Sequence, residues 1–166
     1  MAHPLSLLGA IHTAISLVPI LAGLYGFIRH RAIDPGTRSG KVYLIGLVLS
    51  VATSFTVSST GGLNPGHAFG VIVLLVAFGG VLAGRLQFLG RARPYLSTFG
   101  LSFSFLLSLV PGVNETLTRL PVAHPLAAAP MAPVVLQTLL GCLMVFVIGF
   151  AGQCWRIHTR RRYEPA

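Results

Sequence analysis

The stretch from Pro133 to Trp155 reads PVVLQTLLGCLMVFVIGFAGQCW and contains no charged residue. A transmembrane helix needs about 20 mostly apolar residues to cross roughly 30 Å of hydrocarbon, and this stretch is long enough. The residues that follow directly, 156–163, read RIHTRRRY and are rich in basic side chains. An uncharged apolar run with a basic flank is typical of a membrane helix that ends in the cytoplasm. The stretch therefore predicts a helical membrane protein.

The composition of the whole chain supports the same class of protein. Hydrophobic residues make up 54% of the 166 residues, charged residues make up 9%, and the mean hydropathy is +0.79. Soluble domains carry about 25% charged residues, so a water-facing globular surface is excluded. Intrinsic disorder is also excluded, because the chain is too apolar. We therefore expect one integral membrane domain over residues 1–166.

Four further apolar segments precede this stretch. Pro94, Pro111 and Pro133 are predicted to mark helix starts or ends, because proline suits a first turn and interrupts a helix interior. The sequence predicts an all-α transmembrane bundle of five spans, whose longest extramembrane segment runs from residue 111 to about 132. The five predicted spans are about residues 5–28, 42–60, 67–84, 95–110 and 133–155.

The basic residues predict the orientation of the chain. Every Lys and Arg except Arg119 lies in one of three clusters, 29–41, 85–93 and 156–162, and all three fall on the same side of the predicted spans. The positive-inside rule then places the N-terminus outside and the C-terminus in the cytoplasm. Charges distributed in this way indicate cytoplasmic loops, so the net charge of +9 does not predict nucleic acid as a partner.

Small and polar residues recur every three or four positions along the predicted helices, which places them on one face of each helix. Such faces pack against other helices in membranes, because small residues let two backbones approach. On the first span this face consists of Gly9, His12, Ser16, Pro19, Gly23 and Gly26, and on the second of Tyr43, Gly46, Ser50, Thr53 and Val57.

Ionisable residues on the predicted outer side form the candidate site, because such residues inside a membrane are rare and usually functional. His12 lies about 10 Å into the first span, at 1.5 Å per residue. His67 opens the third span, Glu115 lies at the outer end of the fourth, and His124 lies in the outer segment that follows. Three helices thus offer His12, His67 and Glu115 at a similar depth.

This set of residues has three chemical interpretations. His12 and His67 could be the axial ligands of haem b. His12, His67, Glu115 and His124 could hold a divalent metal ion, for which imidazole and carboxylate are normal ligands. Glu115 could instead titrate on a proton or substrate path. Each residue also has a purely structural interpretation: His67 as a helix cap, His12 bonded to hydroxyls of the second span, and Glu115 paired with Arg119.

The chain also resembles a known family. His12 in the first span, DPGTRSGKVY at residues 34–43, and NPGH at residues 64–67 resemble the uncharacterised bacterial membrane proteins called domain of unknown function 2306. The similarity covers roughly the first 120 residues. Thr37 stands where members of the family often carry a histidine, and the fifth span extends beyond the family's pattern. The resemblance implies a small polytopic protein of the bacterial inner membrane and implies no activity.

We therefore predict a multi-pass protein of the bacterial inner membrane with a histidine-lined outer site that binds haem or a metal ion, as a redox or sensory component. One alternative is a non-catalytic subunit that packs into a larger complex or a homo-oligomer. A second alternative is a small transporter component. Enzymatic activity is less favoured, because the sequence contains no phosphate loop, triad signal or acidic pair.

Overall fold

The computed structural model describes residues 7–57, 64–121 and 124–163, and these residues contain helices and no strand. The predicted all-α fold is therefore confirmed for the described part of the chain. The most extensive contacts join helices that are consecutive in the sequence, α1 with α2, α3 with α4 and α4 with α5, while α2 with α3 and α1 with α4 make smaller contacts. The helices are α1 (Leu7–His30), α2 (Arg38–Ser54), α3 (Pro65–Ala83), a 3₁₀ helix (Gln87–Ala92), α4 (Arg93–Arg119) and α5 (Pro133–Tyr163).

The predicted number of spans is wrong. Among the described residues, four helices are long and apolar enough to cross a membrane: Leu7–His30, Pro65–Ala83, Gln87–Arg119 and Pro133–Arg161. The predicted second span corresponds to α2, which is not among these four helices. Helix α2 has 17 residues and so extends about 26 Å, less than the roughly 30 Å of a hydrocarbon core. It begins at the basic Arg38 and ends at Ser54. Residues 58–60 of the predicted second span lie outside the described residues.

Prolines mark two of the three predicted boundaries. Pro94 lies in the first turn of α4, and Pro133 is the first residue of α5. Pro111, however, lies inside α4, which continues to Arg119. The predicted helix end at Pro111 is therefore wrong, and the extramembrane position of the segment from residue 111 stays a prediction. A proline removes one backbone hydrogen bond, and membrane helices often tolerate this loss because neighbouring groups satisfy the freed carbonyl.

A tight turn reverses the chain between α1 and α2. The backbone N–H of Gly36 donates to Asp34 Oδ1 at 2.8 Å, and the backbone N–H of Thr37 donates to the Asp34 carbonyl oxygen at 3.0 Å. The Thr37 side chain then caps α2 by accepting from the N–H of Gly40 at 3.1 Å. Gly40 is buried against the turn, and a Cβ atom there would lie 1.9 Å from the Asp34 carbonyl oxygen. Only glycine therefore fits at this position.

The turn fixes the register of α1 against α2, and the predicted faces of these helices meet. Gly9, Pro19, Gly23 and Gly26 are the buried residues of α1. A Cβ atom on Gly46 of α2 would lie 2.9 Å from Pro19, so the two backbones approach closely. One turn further from the loop, Ser50 Oγ lies 2.7 Å from Ser16 Oγ. The two helices are therefore antiparallel and joined through small and polar side chains.

Helices α3 and α4 cross closely at Gly80 and Gly100. A Cβ atom on Gly100 would lie 2.6 Å from the Cα atom of Gly80 and 3.0 Å from the Val76 carbonyl oxygen. All of these neighbours are backbone atoms, so the two helices touch backbone to backbone. Such contact maximises dispersion between membrane helices and needs small residues on both sides.

A buried polar contact joins α2 to α4 in the core. The Tyr43 side chain has no exposed surface, and its hydroxyl lies 2.8 Å from the hydroxyl of the equally buried Ser104. Because Ser104 donates its own proton to the Leu101 carbonyl oxygen at 2.9 Å, Tyr43 is the donor to Ser104. Tyr43 lies on a predicted packing face, but the sequence does not reveal that it meets Ser104.

The three basic clusters lie at one end of the bundle. The side-chain amide of Gln153 on α5 donates to the Arg31 carbonyl oxygen at 2.9 Å, which brings the end of α1 to α5. The Arg161 guanidinium donates to the Arg91 carbonyl oxygen at 2.9 Å, which brings the segment before α4 to the same place. Arg119 lies at the opposite end of α4. We call the end where the three basic clusters lie the basic end. We call the opposite end, where His12 and His67 lie, the histidine end.

Candidate functional site

His12 lies on the face of α1 that meets α2, near the histidine end. Its Nδ1 atom lies 2.9 Å from Thr53 Oγ1 of α2, and its Nε2 atom lies 3.5 Å from Ser16 Oγ one turn along α1. Ser16 in turn contacts Ser50 of α2. The side chain is partly buried. His12 is therefore part of a polar network of one imidazole and three hydroxyls between α1 and α2.

The hydrogen bonds of Thr53 assign the protonated nitrogen of His12. The Thr53 hydroxyl has one proton, and its oxygen lies 2.9 Å from the Leu49 carbonyl oxygen and 3.0 Å from the Ser50 carbonyl oxygen. Because that proton is directed at the helix backbone, Thr53 accepts from His12, and Nδ1 carries the hydrogen. The lone pair of the neutral ring is then on Nε2, where Ser16 is only a distant donor. This nitrogen is available to take a proton.

His67, at the start of α3, contacts three residues: Asn64, Ser54 and Phe55. Its Nδ1 atom accepts from the backbone N–H of Asn64 at 3.1 Å, while the Asn64 side chain accepts from the backbone N–H of His67 at 3.2 Å, so the two form a capping box. Its Nε2 atom lies 3.1 Å from the Ser54 carbonyl oxygen and is the donor there. The ring stacks on Phe55, with centroids 4.5 Å apart, and only 5% of the residue is exposed. Both ring nitrogens are thus committed to the backbone.

The end of α2 brings the two histidines to the same region. His12 contacts Thr53 and His67 contacts Ser54, which are consecutive residues. The common depth of the two histidines in a membrane stays a prediction. The structural interpretation of His67 as a helix cap is confirmed. Its sequence signal is Asn64-Pro65, which places a capping residue before a proline at the first helical position, three residues ahead of His67.

Glu115 and His124 lie at the histidine end but outside the polar network. Glu115 forms an ion pair with Arg119 one turn along α4, and both side chains are about half exposed. The Glu115 carboxylate is also within electrostatic range of His12. His124 is exposed, and its backbone N–H donates to the Pro121 carbonyl oxygen at 3.1 Å.

The four predicted ligands do not form a metal-binding set in the described part of the chain. Within residues 7–57, 64–121 and 124–163, no group of three or more His, Cys, Asp or Glu side chains is positioned to hold a metal ion. A haem with two histidine ligands would require His67 Nε2 to give up the Ser54 carbonyl oxygen. The geometry at His12 and His67 therefore fits neither cofactor without rearrangement, and cofactor binding stays a prediction.

The sequence analysis did not identify Gln153, which connects three helices at the basic end. Its side-chain oxygen accepts from the Ser102 hydroxyl of α4 at 3.0 Å, and its amide nitrogen donates to the Arg31 carbonyl oxygen after α1. Polar side chains inside apolar helices commonly bond across helices. The signal was available, since Gln153 is one of the few polar residues in the uncharged stretch quoted at the outset.

No family model, no curated protein and no solved structure matches this chain. The resemblance of residues 34–43 and 64–67 to the domain of unknown function 2306 therefore stays a prediction. The site must be interpreted from its own geometry.

Proposed function

We propose that this chain is a small multi-pass membrane protein in which His12 takes up and releases a proton as part of a transport component. The supporting observation is the Nε2 atom of His12, which carries the lone pair and whose hydrogen-bond partner among the described residues is the Ser16 hydroxyl at 3.5 Å. An ionisable side chain inside an apolar helix commonly marks a proton or ion path. His67, by contrast, has the role of a helix cap.

The orientation belongs to the same proposal. The basic end faces the cytoplasm by the positive-inside rule, which places the N-terminus and the histidine end outside. The convergence of three basic clusters at one end of the bundle supports this orientation. His12 then receives protons from the outer side, and the Glu115 carboxylate lies within electrostatic range of it. We place the protein in the bacterial inner membrane.

Proton uptake by a vesicle-trapped, pH-sensitive dye tests the role of His12. In vesicles containing the purified protein, an imposed pH gradient should collapse faster than in empty vesicles. The substitution His12→Gln should slow the protein-dependent rate by on the order of 10²-fold, the lower end of what a positioned proton-transferring side chain contributes. Glu115→Gln should slow it less, because Glu115 acts only through its charge.

His124→Gln is the matched control, because it removes an imidazole at the same end of the protein that is exposed and outside the network. This variant should collapse the gradient at the wild-type rate. Equal rates for the wild-type and His12→Gln proteins would contradict the proposal, as would a wild-type rate no higher than that of empty vesicles.

Cofactor binding is the second candidate function, favoured by the contacts of His12 and His67 with consecutive residues of α2. It predicts a Soret band in the visible spectrum of the purified protein, or bound metal by elemental analysis, lost in both His12→Ala and His67→Ala. His124→Ala should keep the signal if the ligand is haem. A colourless, metal-free sample would contradict this candidate. Large subunits that co-purify with such a sample would support the subunit hypothesis.

A further inference from the structure

A large cleft lies between α5 and the pair α1 and α4. Its volume is about 940 Å³, near the upper end of the roughly 300–1,000 Å³ of ligand pockets. Most of the surface of its walls is apolar. The lining includes Leu24 and Phe27 of α1, Phe105 and Leu109 of α4, and Val145 and Trp155 of α5.

The cleft becomes basic at the end where the three basic clusters meet. Arg31 and Arg156 line it there, together with Gln153. A smaller hollow of about 110 Å³ adjoins this end, and it shares these three residues with the cleft and adds Thr98 and Arg160. One continuous surface thus has a long apolar part and a compact part lined by three arginines.

The cations at this end have no carboxylate partner among the residues that the structure describes. The described residues contain an ion pair between Glu115 and Arg119, but it lies at the opposite end of α4. The hydrogen bonds of Gln153 hold the backbone of Arg31 against α4 and α5. Arginines suit phosphate oxygens, which they can bind with two parallel hydrogen bonds.

We propose that this cleft binds an anionic phospholipid, with its acyl chains between α1, α4 and α5 and its phosphate in the hollow formed by Arg31, Arg156 and Arg160. The proposal rests on the membrane location of the protein and is independent of His12. The argument is charge complementarity: basic pockets between membrane helices on the cytoplasmic side recognise anionic headgroups. A zwitterionic lipid of the same chain length fills the apolar part but gains less from three cations.

Trp155 provides a probe at the site, because it is the single tryptophan of the chain and lines the cleft. Phosphatidylglycerol with brominated chains, titrated into the detergent-solubilised full chain, should quench its fluorescence. Phosphatidylcholine with the same brominated chains should need a concentration about tenfold to thirtyfold higher, as expected from losing the attraction of about two basic residues. Equal quenching by the two lipids would overturn the proposal.

Two double variants test where on the protein the lipid binds. Arg31→Gln with Arg156→Gln should raise the phosphatidylglycerol concentration for half-quenching to that of phosphatidylcholine. Arg38→Gln with Arg85→Gln removes the same charge from the basic end outside the cleft and should have little effect. An equal loss in both double variants would indicate general surface attraction and would overturn the assigned site.

A larger side chain placed in the apolar part of the cleft tests whether acyl chains bind there. Gly149 lines the cleft and has open space where a side chain would begin, so Gly149→Leu should fold and should weaken quenching by both lipids. Gly79→Leu on α3 is the matched control, because Gly79 also faces open space and does not line the cleft. Unchanged quenching in Gly149→Leu would overturn the placement of the acyl chains. Recovery of wild-type protein in the membrane fraction tests the membrane location separately.

Discussion

Replacing Gly100 with alanine is expected to lower the free energy of unfolding by about 1–3 kcal/mol, the usual cost of overpacking a tight contact. The new Cβ atom would lie 2.6 Å from the Cα atom of Gly80, so α3 and α4 must move apart as rigid backbones. A flexible side chain could turn away, but a helix backbone cannot. The measurement is thermal unfolding of the detergent-solubilised protein, followed by circular dichroism.

Gly79→Ala is the control for this substitution. It changes the same residue type inside a membrane helix, but its Cβ atom meets nothing within 4 Å. Both variants gain helix propensity, worth up to about 1 kcal/mol for glycine to alanine, so their difference isolates the clash. We expect Gly79→Ala to unfold at or above the wild-type temperature. Equal unfolding temperatures for the two variants would show that the crossing at Gly80 and Gly100 adapts without cost.

Replacing Gly40 with alanine is expected to cost about 3 kcal/mol or more, because the clash is closer. The new Cβ atom would lie 1.9 Å from the Asp34 carbonyl oxygen. That oxygen accepts from both the backbone N–H and the hydroxyl of Thr37, at 3.0 and 2.8 Å, so it cannot move without breaking the turn. The same turn sets the register that places Thr53 beside His12. We therefore expect Gly40→Ala to lower both the unfolding temperature and the His12-dependent proton flux.

Gly36→Ala tests whether this loss is specific to the contact. Gly36 lies in the same turn, but it is exposed, and a Cβ atom there would approach only the Asp34 side chain, at 3.2 Å from Oδ1. A side chain can adjust, so the expected cost is about 0.5 kcal/mol or less. If Gly36→Ala and Gly40→Ala lose stability equally, the turn is sensitive to any loss of glycine and the close approach of Gly40 is not the cause.

The helical class was predictable because hydropathy and charge are local properties of the chain. The apolar stretch from Pro133 and the small-residue face that includes Gly23 and Gly26 follow from composition and from a period near 3.6 residues. The failure at α2 has a physical reason. Serine and threonine residues are numerous near its end, and hydropathy alone does not show that Thr53, Ser54 and Thr56 bond their own backbone there while the helix ends at Ser54.

The contacts that join the core and the basic end were less predictable, because they link residues far apart in the chain. Tyr43 meets Ser104, and Gln153 meets Arg31, only after the helices have assembled around α4. Periodicity assigns a residue to a face but does not name the partner face. His67 shows the reverse case, since its capping contact with Asn64 is local and the spacing of the two residues was sufficient to predict it.

The order of helix contacts has a consequence for biosynthesis. The most extensive contacts join consecutive helices, α1 with α2, α3 with α4 and α4 with α5, so the main partner of each helix is made either just before it or just after it. The α1–α2 pair, closed by the turn at Asp34, can form first, and the α3–α4 pair can then add to it. The last helix, α5, has few buried residues and binds α4 through Gln153 and its aromatic side chains. Assembly can therefore proceed in the direction of synthesis, and no helix needs to wait for a distant partner.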